Sequence, residues 1–424
     1  MLITKEDLLE SHSPVNFLPP VLWQQGMNMN EDPINKHKRI SIYVHIPFCK
    51  EKCSYCSFLV VKGKKVTPEL IEQYISALIA ELSHYAQKLN YDYTKIISIQ
   101  FGGGTPSILS SSQINQVLEA VNKYFNCSEL SEIIFEAFPA SMTNEKLEFL
   151  SSLPNVKLNI GIQSFDDFQL LSVGRRHTAY EAIQLLQKAN YNQIRSVGID
   201  LICGLPNSTS QTTERDIHTA IELGVDHFAV YPLWLYPDTK LYHDVKNERL
   251  SVFSYAARKE RLMQAEQILK DHGYERYTIF HYKKADEHYY GKSQMMGEDW
   301  LGIGIGALSQ INHVIWQNTS NISEYLRIGR TKVSNLEGYY HLNVYEEMQR
   351  TFLSGLRLST YDMRSFNSRF GLDIEYLFHE EIEYMQAKGY LDRKGAEISL
   401  TVDGILNLNE IEGYITKKAG TFNG

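Results

Sequence analysis

Tyr43-Val-His-Ile-Pro-Phe-Cys49-Lys-Glu-Lys-Cys53-Ser-Tyr-Cys56 follows directly on an alternating apolar run, Ile40 to Ile46, that reads as a β-strand. Three of the chain's five cysteines fall in this one short loop. The spacing C-x3-C-x2-C brings three thiolates to three iron corners of a cubane cluster without a long loop closure. Cys127 and Cys203 lie far away in sequence, so the fourth iron has no nearby thiolate and stays open to a ligand. A zinc site would want a second cysteine pair or histidines downstream, and the chain has no such second pair. His45 sits in the alternating strand and reads as a wall residue. Cys49, Cys53 and Cys56 are therefore the metal-ligating candidates.

Working outward, strand-like segments end near Ile46, Phe101, Ala137, Ile162, Ile202 and Leu233, with helical patterns between them. Six β-then-α units predict a parallel sheet, with the chemistry at the carboxyl ends of its strands. The expected division is an irregular, proline-bearing lead-in over 1–38, a barrel domain with a substrate-side extension over 39–324, and a helical, winged-helix-like domain over 325–424. In the last of these, Glu346 to Arg357 and Ile374 to Lys388 read as helices. Tyr390 to Leu400 reads as a hairpin, and Thr401 to Asn409 as a final helix. That helix carries acids and no arginine, which is wrong for phosphates, so a lid or docking role is expected.

The chain has 424 residues, a net charge of -8, 43% hydrophobic and 22% charged residues. These values suit a globular enzyme and argue against a general nucleic-acid footprint. No apolar run reaches the length of a membrane span and the N-terminus carries no signal peptide, so a cytoplasmic protein is expected. Clustered cysteines fit a reducing compartment.

Polar residues interrupt the apolar strands at telling places. Phe101-Gly-Gly-Gly-Thr-Pro106 exposes backbone N–H groups after the second strand. Glu136 lies inside Ile133-Ile-Phe-Glu-Ala, where an unpaired charge is costly, so it must meet a donor, a cation or a core salt bridge. Gln163, Arg175 and Asp200 recur in the same way. Arg175 suits a carboxylate through its bidentate guanidinium, and Arg176 is an alternative. Gly302-Ile-Gly-Ile-Gly-Ala307-Leu308 looks like a strand whose glycines leave room beside the barrel mouth. His281 and His288 read as surface imidazoles in a polar loop, and Cys203 as a buried structural thiol.

These motifs, over roughly residues 40 to 420, resemble the radical S-adenosylmethionine (SAM) superfamily, in the group of oxygen-independent coproporphyrinogen III oxidases (dehydrogenases) and heme chaperones, with its two-SAM class C methyltransferase relatives. The resemblance implies a partial (β/α)6 barrel and a 4Fe-4S cluster on Cys49, Cys53 and Cys56. It also implies one SAM, or two, cleaved to a 5'-deoxyadenosyl radical that abstracts hydrogen from a tetrapyrrole, another organic substrate or the second SAM. Gly103, Gly104 and Thr105 would contact the SAM amino group. Glu136, Gln163 and Arg175 would hold its ribose, amino and carboxylate region, and Tyr43 and Tyr55 its adenine. Asp200, Ala307 and Leu308 would border the second SAM. The implied partners are a tetrapyrrole, heme or natural-product precursor, and a reductant such as flavodoxin or ferredoxin. No catalytic side chain is assigned. Two departures stand out: Phe58 replaces a further cysteine of the dehydrogenases, and the chaperones' His-Asn-x-x-Tyr-Trp segment is missing. Phe280-His281-Tyr282 is comparable to a histidine-aromatic segment in the methyltransferases. Oxidoreductase, methyltransferase and a heme chaperone without turnover all remain readings of the sequence.

Overall fold

The computed structural model describes residues 38–88, 94–192, 194–327 and 336–417. The lead-in expected over 1–38 lies outside these, apart from its last residue. Twelve strands make one sheet: β1 (Lys38–Ile46), β2 (Thr94–Gly103), β3 (Glu132–Ala137), β4 (Val156–Gln163), β5 (Ser196–Cys203), β6 (His227–Pro232), β7 (Glu275–Arg276), β8 (His281–Lys283), β9 (Trp300–Ile303), β10 (Leu308–Ile311), β11 (Val314–Asn318) and β12 (Leu336–His341). Their order is β12-β11-β10-β9-β1-β2-β3-β4-β5-β6-β8-β7. Strands β1 to β6 are mutually parallel, as the β-then-α alternation predicts. On one side β8 returns antiparallel to β6; on the other, β9 joins β1 in parallel and β10, β11 and β12 follow antiparallel.

Side-chain alternation explains why these strands tolerate polar residues. Ile133, Phe135, Leu158, Ile160, Val197, Ile199, Phe228 and Val230 are buried in the main core. The alternate residues face the opposite, concave side. Ser98 Oγ donates to Glu132 at 2.7 Å, Lys157 pairs with Glu132 at 3.0 Å, and Asn159 Nδ2 donates to Asp200 at 2.9 Å. The floor is closed by the helix Tyr289–Met295, whose first amides, of Tyr289 and Tyr290, also donate to Glu132, while Tyr290 packs with Ile134 and Trp300.

Several expectations need correction. The sheet continues past the 324/325 division to His341. The helix expected over Ile374 to Lys388 breaks at Phe378 into Ile374–Leu377 and His379–Ala387, and the final helix divides into Val402–Leu406 and Leu408–Lys417. The hairpin is present as Leu391–Lys394 with Glu397–Leu400. The glycine-rich stretch is not one strand, because β9 ends at Ile303 and Gly304 has φ +106°. Nor does it leave room. A Cβ on Gly302 would sit 2.2 Å from the Leu308 carbonyl oxygen, and one on Gly304 2.5 Å from the Tyr74 hydroxyl and 2.7 Å from the His45 carbonyl oxygen. Close backbone approach of the protein to itself is what requires glycine there.

Tyr74 ties this segment to β1, the strand that leads into the cysteine loop, donating to the His45 carbonyl at 2.8 Å and accepting from Ile305 N at 3.0 Å. Beside it, Glu81 accepts from Gly304 N at 2.9 Å, Asn318 Nδ2 at 2.6 Å and the Tyr325 hydroxyl. With no cation among these partners, burial pushes Glu81 up to about 7.

Candidate functional site

The cysteine loop leaves β1 at the carboxyl-terminal rim of the barrel. It is pinned at three points: Phe48 and Cys49 pair with Val61 and Lys62, Ser54 N donates to the Val173 carbonyl at 2.9 Å, and Gly104 N donates to the Ile46 carbonyl at 2.8 Å. A Cβ on Gly104 would lie 2.8 Å from the Pro47 backbone, so the glycine run is first a seat for the root of the loop. Gly103, at φ +106°, passes equally close to the His45 ring. His45 is thus the buried wall residue expected, kept neutral by burial, which lowers its pKa to about 4.

Burial raises the Cys49 thiol, opposed by Thr105, whose Oγ1 lies 3.4 Å from Sγ; burial pushes Cys56 up to about 11. Thiols held this way ionise readily only against a cation, which is the condition of a metal ligand. Among the described residues no three His, Cys, Asp or Glu side chains are placed to hold a single metal ion. A cubane does not ask for that, since each thiolate takes a different iron.

Beside the loop, the rim carries the other expected side chains. Glu136 accepts from Gln100 Nε2 at 2.7 Å and from Gly103 N at 3.3 Å. Those donors replace the core salt bridge considered from sequence: no basic side chain pairs with Glu136 among the described residues. Burial, with the Asp200 carboxylate adding to it, pushes Glu136 up to about 7. Asp200 is raised by burial too, offset by Asn159 and by Arg175. Gln163 ends β4 at φ +72°, a left-handed turn that brings its buried amide beside Gly161 and the Arg175 guanidinium. Arg175 donates to the Gly161 carbonyl, lies 5.0 Å over the Phe138 ring, and has an unpartnered buried Nε. The choice between neighbouring arginines is resolved, since Arg176 is 75% exposed and pairs with Glu51.

Tyr55, half-buried at the loop, feels both Arg175 and the cysteines. Tyr43 stacks on Tyr290 at 5.8 Å, its hydroxyl 3.4 Å from His45 Nδ1. Leu308 packs with Tyr43, Ile134, Tyr290 and Trp300, and Ala307 is buried just before β10. Asp200 instead groups with Asn159, Glu136, Arg175 and Tyr231. Cys203 is 3% exposed in the core, in the structural place expected.

His281 and His288 are not the surface groups that their polar segment suggests. His288 stacks on His227 with ring centroids 3.8 Å apart, and His281 lies 5.6 Å from His227. Burial keeps all three neutral, His281 at about 4. Tyr231, missed from sequence, is oriented by this group. Thr278 Oγ1 accepts from His281 N at 3.2 Å and Phe280 N at 3.4 Å, so its hydroxyl proton goes to His281 Nδ1 at 2.7 Å. His281 Nε2 then carries the ring proton and donates to the Tyr231 oxygen at 3.2 Å. The Tyr231 hydroxyl proton is left for the barrel interior, where burial and the Asp200 and Glu136 carboxylates raise its pKa.

The rim therefore offers three thiols, two carboxylates without a full cationic partner, an arginine with a spare N–H, and neutral donors. SAM carries an ammonium, a sulfonium and a carboxylate, and these residues fit it. The pattern of the radical SAM superfamily matches residues 43–220. The chain carries a radical SAM domain over these residues. The HemN C-terminal domain matches residues 342–406, directly after β12. The chain is 27% identical to the heme chaperone HemW of Bacillus subtilis (strain 168) over 376 residues, 88% of this chain and 98% of that protein. It is also 27% identical to anaerobilin synthase of Escherichia coli O157:H7 over 305 residues, 72% of this chain and 67% of that one. The coproporphyrinogen III oxidase HemN structure from Escherichia coli superposes with a TM-score of 0.76 at 22% identity, covering 90% of each chain, and shares the fold. Proteins of this superfamily hold a 4Fe-4S cluster and bind SAM; when bound, the cluster supplies the electron that cleaves SAM. No described helix is long and apolar enough to cross a membrane.

Proposed function

We propose that this is a heme-binding radical SAM protein of the chaperone kind. Cys49, Cys53 and Cys56 hold the cluster. Gly103, Gly104, Thr105, Glu136, Gln163 and Arg175 hold SAM, with Tyr43 and Tyr55 toward its adenine and Asp200 deeper in the barrel. The observation that supports this reading is end-to-end likeness: the heme chaperones of Bacillus subtilis and Lactococcus lactis align over 88% of this chain and 98% and 97% of their own lengths, whereas anaerobilin synthase aligns over 67% of its own. The chain's part is to orient SAM and exclude water. Glu136 and Asp200 supply negative charge for the ammonium, Arg175 a donor for a carboxylate, and the helix Tyr289–Met295 seals the floor. We place the protein in the cytoplasm, supplied with electrons by a soluble reductant.

A second reading is turnover, in which SAM cleavage modifies a tetrapyrrole or another small molecule, with any second SAM beside Asp200 rather than in the closed Ala307–Leu308 stretch. It is favoured by the Tyr231 hydroxyl, which His281 orients beside the Asp200 and Glu136 carboxylates. Titration of anaerobically reconstituted protein with hemin, followed by the Soret band, should give stoichiometric tight binding. The same sample with SAM and reductant should release at most one 5'-deoxyadenosine per chain. Many equivalents coupled to a changed tetrapyrrole, or no heme binding at all, would overturn the chaperone reading.

A further inference from the structure

His177 is buried two residues along the chain from Arg175, at 2% exposure, and neither of its ring nitrogens has a hydrogen-bond partner. Two buried polar atoms left unpaired are costly, so packing alone does not account for an imidazole there. Burial and the Arg175 guanidinium keep the ring neutral, lowering its pKa to about 3. Its surroundings join the two side chains. The His177 ring meets the Phe138 ring edge-on, with centroids 5.2 Å apart and planes at 87°, and the Arg175 guanidinium lies over that same ring at 5.0 Å. Phe138 is itself fixed, its N–H donating to Ser107 Oγ at 2.9 Å. Both side chains also meet the end of β4. Arg175 Nη2 donates to the Gly161 carbonyl, while the Ile162 carbonyl lies beside the imidazole without reaching hydrogen-bond geometry. Ile162 has no counterpart in β5, because the register shifts between Gly161 and Gln163, and Gln163 follows at φ +72°. A bulged strand end with a left-handed residue is strained and needs support from outside the ladder.

We propose that His177 is a positioning residue for Arg175, whose N–H closes on the Ile162 carbonyl when a ligand carboxylate engages the guanidinium. The inference rests on the reading in which Arg175 takes the SAM carboxylate. A two-pronged grip on a carboxylate needs two parallel N–H groups. Nη2 is held by the Gly161 carbonyl while Nε beside it is idle, so gripping the ligand competes with the bond that supports the strand end. His177 supplies a replacement donor to the same bulge, and its edge keeps Phe138 under the guanidinium while Arg175 turns. A neutral ring suits this role, since a charged one would repel the arginine it serves.

The test uses full-length protein with its cluster reconstituted, and SAM and decarboxylated SAM as probes; the second keeps the adenine, the sulfonium and the amine but lacks the carboxylate. His177→Phe keeps a ring edge on Phe138 and removes the N–H. It should weaken SAM binding by about fivefold to tenfold in calorimetry, leave decarboxylated SAM within about twofold, and leave the iron content unchanged. His177→Gln, which restores a donor, should recover most of the SAM affinity. With Arg175→Gln in place, His177→Phe should weaken SAM by less than about twofold further, because the two side chains act as one unit. Where the analogue binds too weakly to titrate, that double-variant comparison decides alone. If His177→Phe loads iron poorly, the smaller His177→Asn takes its place with the same expected losses. Equal losses for SAM and its analogue, a full further loss beside Arg175→Gln, no recovery in His177→Gln, or unchanged SAM affinity in His177→Phe would overturn the positioning role. Unchanged SAM affinity in Arg175→Gln alone would instead overturn the reading of Arg175 as the partner of the carboxylate.

Discussion

Glu136→Gln should make the protein more stable and worse at binding SAM. In the ligand-free fold the carboxyl titrates at about 7, raised by burial and by Asp200, against about 4.3 in an unfolded chain. Below pH 4 the group is protonated in both states, and its contribution to stability is fully present. As pH rises toward 7 the unfolded chain releases the proton while the fold retains it, so stability is lost through that window and levels off above it. A gap of roughly 2.7 pH units corresponds to about 4 kcal/mol. Glutamine keeps an acceptor for Gly103 N, and the Gln100 amide can turn to meet the new one, so the variant escapes the loss. Urea midpoints should coincide with the unchanged protein near pH 4.5 and rise above it at pH 8. SAM affinity should move the other way, falling tenfold or more, because a charge-assisted hydrogen bond contributes about 1.5 to 3 kcal/mol. A variant that is less stable at pH 8, with SAM affinity intact, would refute the reasoning and return Glu136 to a structural role.

Anaerobic reconstitution should load about four irons per chain, and Cys49→Ala, Cys53→Ala or Cys56→Ala should each abolish the cluster; stoichiometric zinc in protein prepared without oxygen would contradict this. Gly304→Val should destabilise the fold by about 3 kcal/mol or more and impair iron loading, since the new side chain meets Tyr74 and the His45 carbonyl at the end of β1, where the cysteine loop begins. Normal stability with only one SAM equivalent lost would instead restore the open-site view of that glycine. Tyr231→Phe should weaken whichever ligand accepts its hydroxyl proton by about threefold to tenfold, and His281→Ala should do the same by freeing the phenol to rotate; unchanged affinities for both SAM and hemin would show that the proton is used within the protein.

The parallel strands were legible because each carries a compact apolar face, and five of the six predicted ends fall within one residue of those observed at Ile46, Ala137, Gln163, Cys203 and Pro232. Glu136, Gln163 and Asp200 were legible for the same reason, each being polar where an outward-facing position would be apolar. What escaped was whatever depends on a distant backbone. Gly302 and Gly304 look like an open cradle until β10 and Tyr74 are placed against them. His281 and His288 look solvated because their segment is polar, and only the three-residue return strand β8 and the floor helix turn them inward.

The same limit explains why the carboxylates carry more weight in the structure than in the sequence. A lone Glu136 in an apolar strand invites a cation from its own protein, and many buried glutamates find one. Here Lys157, a basic residue pointing into the same barrel, is taken by Glu132 at 3.0 Å one layer below. Of the rim pair, Asp200 feels Arg175 and Glu136 does not. A fold that neutralises one acid in its floor and leaves another raised to about 7 at its mouth keeps negative charge in reserve where a cationic ligand enters, and SAM brings two positive centres to that place.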